Sequence, residues 1–209
     1  MRVVTGSPRR TNTRELVLAA AERLFAEHGY DGTSLEEIGR AAGLSRGTPG
    51  YLFGSKPSLY AAVLEQILER ARVALAPAYA RVRDPGEPVE EALAAFVEAH
   101  VRLLAGAPEL ARLIQWEALD EQRRLVQALR ARFDALVELA QELRTRLGRP
   151  GLPRDDAAAL VVDAAALLWL PLAHADALEP AVGSPLRSEE ALARQARELL
   201  AFVLARLRA

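Results

Sequence analysis

No cysteine occurs anywhere in the 209-residue chain, which excludes disulfides, cysteine-ligated metals and cysteine nucleophiles. Lysine is almost missing as well: of the 27 basic side chains, all but Lys56 are arginine. Asparagine and methionine occur once each. A shortage of thermolabile residues with heavy use of Ala and Arg fits a GC-rich genome, a thermophile, or both. The first eight residues are polar, without the apolar stretch of a signal peptide. The longest apolar run, residues 157–170, is interrupted by Asp163 and is shorter than the roughly 20 residues a membrane span needs. These features predict a soluble, cytoplasmic protein with no membrane partner.

An excess of charge of one sign is also missing. The net charge is −1, so the molecule as a whole is not a basic nucleic-acid binder. Its distribution is uneven. Residues 1–56 carry eight basic and six acidic side chains, the remainder 19 and 22. Arg2, Arg9, Arg10 and Arg14 precede the first acid, Glu15. A mildly basic head on an acidic body is a pattern of charge segregation.

The chain reads as helical nearly throughout, because β-branched alternation never persists and turn residues fall at helical intervals. Asn12 and Glu15 have capping-box spacing, and Leu16, Ala20, Leu24 with Val17, Ala21, Phe25 make one apolar face ending at Gly29. Thr33 or Ser34 caps a second helix over 35–42, with Glu36 and Glu37 near its positive end. Gly43 supplies the left-handed stop. Ser45 caps a short third helix over 45–52, and Ser55 a fourth ending near Ala76, before Pro77. Residues 84–88 form a turn, 89–105 a helix, and Pro108 opens another containing Trp116. Val126, Leu129, Phe133, Leu136, Ala140, Leu143 and Leu147 alternate by three and four, as the seam of a long helix does. A helix over 154–177 is apolar on every side, which predicts burial all round. Ser188 caps the last, whose apolar residues spread too widely for one narrow contact.

Two short helices joined by Ala42-Gly43-Leu44 suit a helix-turn-helix: a small residue, a glycine at the bend, an apolar plug. Residues 45–52, Ser-Arg-Gly-Thr-Pro-Gly-Tyr-Leu, would then be the helix that enters the major groove. The turn alone also fits an ordinary capped helix pair in a bundle.

The wider segment, residues 13–64, resembles the TetR family of bacterial regulators. The matching stretches are Ala19-Ala20-Ala21-Glu22-Arg23-Leu24-Phe25, Gly29-Tyr30-Asp31-Gly32-Thr33-Ser34, the run from Ile38 to Thr48, and Phe53-Gly54-Ser55-Lys56 with Leu59. The resemblance implies an all-α fold: a three-helix DNA-binding domain (1–54) and a larger helical bundle (55–209) that dimerises and takes a small effector. It also implies DNA contacts at Ser45, Arg46, Gly47, Thr48 and Tyr51, a phosphate contact at the helix start by Thr33, and another at Lys56. The chain departs from the family at Gly50, where an aromatic is frequent, and at Leu52, where a histidine is frequent. Pro49 predicts a shortened or tilted recognition helix. A compact ammonium suits a phosphate as a point contact, in keeping with the single lysine falling at that position. The arginines of the N-terminal arm can add minor-groove or phosphate contacts, or lie in a disordered tail.

His28, His100 and His174 lack the spacing of a helical metal site. His28 ends a helix. His100 shares a face with Phe96 and Leu103, lining a cavity or sitting satisfied in the core. His174 follows Pro171, which predicts a kink beside Trp169. With Trp116 and Phe133, these residues make a candidate effector set (Phe96, His100, Leu103, Trp116, Phe133, Trp169), on the rule that ligand pockets are mostly apolar. Asp163, read as buried, needs a partner: an arginine of the same chain, one across a dimer interface, or a ligand cation. Leu160, Leu167, Leu192, Leu199, Phe202 and Val203, on two broadly apolar helices, are the candidate dimer contacts.

The expected function is transcriptional regulation by a homodimer bound to double-stranded operator DNA, a repressor released by a small apolar or amphipathic effector of unknown identity. The alternative is an all-helical ligand-binding or interaction protein that uses the helix-turn-helix only as scaffold. Catalysis is not expected, because no metal cluster, phosphate-binding glycine loop or nucleophile elbow is present. Neither a metal nor a cofactor is expected.

Overall fold

The structure is a computed structural model that describes residues 12–119 and 124–209; side chains 117–129 lie outside the description. The arm residues Arg2, Arg9 and Arg10 therefore lie outside it, as do the seam residues Val126 and Leu129. All regular structure among the described residues is helical. In order come α1 (Thr13–His28), α2 (Leu35–Ala41), α3 (Thr48–Phe53), α4 (Lys56–Arg83), α5 (Val89–Ala105), α6 (Pro108–Leu119), α7 (Arg124–Arg146), α8 (Arg154–Ala173), α9 (Ala175–Val182) and α10 (Glu189–Arg208). They fall into two compact units that divide at Gln66–Ile67, within α4.

In the first unit α1 starts where Asn12 accepts from the Arg14 N–H at 3.1 Å and stops where Gly29 takes φ 72°. The cap thus serves Arg14 rather than Glu15. The row Val17, Ala21, Phe25 is fully buried, while Leu16 is on the rim. Phe25 meets Tyr60 edge-on (centroids 4.8 Å) and stacks on Tyr30 (6.1 Å). Ile38 of α2 and Leu59, Tyr60 and Val63 of α4 close this core.

α4 does not stop before Pro77 but runs through it to Arg83. Proline removes one hydrogen bond, to the Val73 carbonyl. Val73 is 58% exposed, so water can take that carbonyl. Pro171 likewise lies inside α8, which ends at Ala173 with His174 as the break before α9.

The second unit buries Val82, Leu93, Phe96 and Val97 against Leu139 and Leu143 of α7, Leu160 and Val161 of α8, and Leu199 and Leu207 of α10. Arg146 ties the 84–88 turn to α7, donating to the carbonyls of Val82 (2.7 Å), Asp84 (2.8 Å) and Glu87 (2.7 Å). α8 reaches 20 residues, long and apolar enough to cross a membrane by length and composition. It packs instead against α5, α6, α7 and α10. Its burial is one-sided: Val162, Leu167 and Leu170 are 57%, 47% and 52% exposed, where burial all round was predicted. Asp163 is exposed with them rather than buried, so it carries no interior charge that must be paired within the chain.

Candidate nucleic-acid interface and ligand cavities

The helix-turn-helix is built by close backbone approach. Ser34 and Glu37 form a full capping box at the start of α2: the Glu37 N–H donates to Ser34 Oγ (3.2 Å) and the Ser34 N–H to Glu37 Oε2 (2.8 Å). These bonds, the Ser34 hydroxyl first, hold the Glu37 carboxyl below the usual carboxylate range. Leu44 N–H donates to the Gly39 carbonyl and Gly43 N–H to that of Arg40, with Gly43 at φ 70°. This closes α2 in the manner of a left-handed cap. Gly39 is required by space: a Cβ there would stand 2.7 Å from the Ser45 carbonyl oxygen and 3.1 Å from Arg46 Cα.

α3 begins at Thr48, later than the expected Ser45. Its N-cap is Gly47, and Ser45 makes no capping bond. The Ser45 and Thr48 hydroxyls bond each other at 2.7 Å instead, and the Thr48 N–H donates to the Ser45 carbonyl. Pro49 explains the shift: its fixed φ and missing N–H suit the first turn of a helix and not the middle of one. Pro49 itself is buried, which turns the opposite face outward.

That outward face carries most of the expected contacts. Ser45, Arg46 and Gly47 are exposed, Thr48 is half-buried, and Tyr51 is 90% exposed. Lys56 is half-buried, its Nζ 4.3 Å from the Tyr30 ring centroid, so the aromatic ring holds the ammonium at the start of α4. Thr33 corrects the reading. It is 3% exposed, its hydroxyl donates to the carbonyls of Gly29 (2.9 Å) and Leu24 (3.2 Å), and its N–H to that of Tyr30. With both donors committed inside, Thr33 fastens the turn between α1 and α2 and has no group left for a phosphate. Sequence reasoning missed the roles of Gly39 and Tyr30, although both lie in the quoted family stretches. It also grouped Arg14 with the arm, whereas Arg14 stacks over the Phe53 ring at 4.2 Å.

The expected effector set separates into parts. Phe96 and His100 line a cavity of about 140 Å³ in the second unit, walled by Leu136, Leu160, Ala164, Leu168 and other aliphatic side chains. His100 Nδ1 is 2.7 Å from the Phe96 carbonyl, and burial pushes its imidazole pKa down. Trp116 and Trp169 line a different, wider cleft of about 520 Å³ with His174. Leu103 and Phe133 line neither. Helical periodicity told which face each residue occupies, not which neighbour that face meets. The candidate dimer set is corrected likewise. Leu160 and Leu199 are 4% and 5% exposed and line the smaller cavity, so they are core within one chain; Val203 lines it too but is half-buried. Leu192 and Phe202 are half-buried, and only Leu167 is open.

Comparison with known proteins agrees with this architecture. The family described as "Bacterial regulatory proteins, tetR family" matches residues 17–63, and "Tetracyclin repressor-like, C-terminal domain" matches residues 88–203. The HTH-type transcriptional regulator RutR of Escherichia coli strain K12 is 30% identical over 181 residues, 84% of this chain and 81% of RutR. The HTH-type transcriptional repressor AcnR of Corynebacterium glutamicum is 38% identical over 71 residues, 34% of this chain and 37% of AcnR. Among solved structures, a TetR-like transcriptional regulator from Rhodococcus sp. RHA1 has the same fold, with a TM-score of 0.69 at 22% identity over 95% of this chain and 99% of that one. Family matches in both halves of the chain and 30% identity to RutR over 84% of it, on a helix-turn-helix whose exposed face the core does not use, make this chain a member of the TetR family of DNA-binding transcriptional regulators.

Proposed function

We propose that the protein is a repressor that reads a palindromic operator through α3 of two chains and leaves it when a small apolar effector enters the second unit. The observation that carries the reading is Tyr51. An aromatic side chain 90% exposed on a six-residue helix gains nothing from the fold and suits a surface that DNA covers. Arg46 and the Ser45–Thr48 hydroxyl pair flank it as donors, and Gly47 lets the backbone approach. The DNA-binding unit then extends to Gln66 rather than to the expected residue 54, because Leu59, Tyr60 and Val63 of α4 belong to its core, and residues 67–209 are the effector and dimer unit. The protein acts in the cytoplasm, with no catalytic step.

Mobility-shift titrations on DNA flanking the gene, repeated across salt concentrations, test the assignment. Lys56→Ala weakens binding to all sequences and flattens the salt slope by about one unit. Arg46→Ala relaxes sequence preference, as loss of a guanine fork does, by about 1–3 kcal/mol at one base pair. Parental behaviour of both variants would place the contact surface elsewhere and favour a scaffold role for the helix-turn-helix.

The effector is read from the smaller cavity. Its wall is aliphatic apart from Phe96 and His100, so an apolar body is what it accepts. A cavity near 150 Å³ holds a molecule of benzene size, so a larger effector must displace core side chains. That displacement is the means of coupling: the effector must bind better to a form of the dimer whose α3 spacing no longer fits DNA. Ala164→Phe, which fills the cavity from α8, should abolish effector release and leave operator binding intact. Release by the parental effector concentration in that variant would count against the cavity.

A further inference from the structure

The wider cleft has chemistry that the aliphatic cavity lacks. It is bounded by α6, α8 and α9, and at about 520 Å³ it falls in the range of small-molecule sites, roughly 300–1,000 Å³. Trp116 and Trp169 give it two indole surfaces; Trp116 is 41% exposed, which a core position would not leave so. The Gln115 amide nitrogen lies 3.0 Å from Nε2 and 3.3 Å from Nδ1 of His174, which pins the α8–α9 junction to α6. The His174 ring in turn stands edge-on to Trp169, with centroids 5.6 Å apart. Among the described residues the buried Trp169 indole N–H has no acceptor. A buried donor without an acceptor is costly and calls for one.

The charges are unbalanced in the same direction. Asp176 takes Arg187 at 2.6 Å and Arg112 more loosely, at 3.6 Å. Arg187 is further committed to the Leu172 carbonyl. Glu179, on the same helix as Asp176, accepts from the Leu186 N–H. Among the described residues two guanidinium groups thus share one carboxylate, and Arg112, which lines the cleft, keeps N–H groups to give.

We propose that this cleft binds a planar aromatic carboxylate, its ring against Trp116 and Trp169 and its carboxylate on Arg112. A guanidinium meets a carboxylate through two parallel N–H bonds, which fixes the orientation of the acid. The indole surfaces favour a flat ring over a branched aliphatic body. The site is separate from the aliphatic cavity, so this ligand and the apolar effector do not compete for one volume.

The full-length protein reports on this site directly, because its two tryptophans both line the cleft. Titration with 2-naphthoate, followed by tryptophan emission and by calorimetry, should saturate with one site per chain. Arg112→Gln should weaken 2-naphthoate by at least about tenfold, the loss expected for one charge-assisted pair. The uncharged 2-naphthamide should bind the parent as weakly as the acid binds the variant. Arg112 is exposed enough for the variant to keep its fold, and Trp116→Leu, at another open wall position, should weaken the acid independently. Ala164→Phe should leave the titration unchanged. No saturable binding, equal affinity of Arg112→Gln and parent, or loss of binding in Ala164→Phe would each overturn the proposal. None of these readouts uses DNA, so failure here is distinguishable from failure of operator recognition.

Discussion

Replacing Leu167 and Leu170 together by glutamate should give a folded monomer that no longer holds an operator. Both leucines are open on α8 of the single chain, 47% and 52% exposed beside Val162 at 57%, so the exchange buries no charge within one chain. In the proposed twofold dimer the same face is covered, and four carboxylates would be taken out of water without partners. Sedimentation should show monomers at concentrations where the parent is dimeric, with unchanged far-ultraviolet circular dichroism. Operator affinity should fall by about 10²- to 10⁴-fold, the advantage of two linked half-site contacts over one. Leu199→Glu is the contrasting control: at 5% exposure it should unfold the bundle, so loss of binding there says nothing of assembly. A dimeric double variant would move the interface off α8.

Gly39→Val should unmake the helix-turn-helix while sparing the effector domain. The new Cβ would meet the Ser45 carbonyl oxygen at 2.7 Å and Arg46 Cα at 3.1 Å, and both are backbone, which cannot rotate aside. Overpacking of this kind costs about 1–3 kcal/mol or more, a large part of the stability of a unit this small. Gly43→Ala is a milder companion. Nothing lies within 4 Å of its Cβ, and only the left-handed φ of 70° penalises it, by about 1–2 kcal/mol. Segment-resolved hydrogen exchange of the full chain reads both. Gly39→Val should lose protection in α1–α3 and keep it in α5, α7 and α10, with DNA binding gone. Native protection across α2 and α3 would show that the close approach is not needed.

The parts of this architecture that the sequence displayed are those set by local chemistry. Asn12, Ser34 and Ser188 cap helices because their side chains satisfy free N–H groups one turn on, and the residue types announce it. Gly29 and Gly43 mark stops because the backbone there is left-handed. What was hidden depends on neighbours distant in sequence. Pro77 reads as a stop, yet α4 passes through it because packing on both sides outweighs one lost hydrogen bond. Ser45 reads as a cap, but Pro49 draws the first turn of α3 to Thr48. Thr33 sits at the start of a helix as a phosphate contact would, and only the positions of the Leu24 and Gly29 carbonyls reveal that its hydroxyl faces inward. The uniformly apolar α8 looked like a helix buried all round; it is buried on one side and open on the other. Of the candidate aromatics, Phe96 lines one cavity, Trp116 and Trp169 another and Phe133 neither, since periodicity is blind to which helices converge.

Selection of bound duplexes from a random pool tests the central claim most directly, because it presumes nothing about the operator. The recovered sequences should align to an inverted repeat whose half-sites are about one or a multiple of helical turns apart. The same selection with Arg46→Ala should lose preference at one symmetric pair of positions. Enrichment of no common sequence, or of one unsymmetrical site unchanged by Arg46→Ala, would contradict recognition by α3 of two chains.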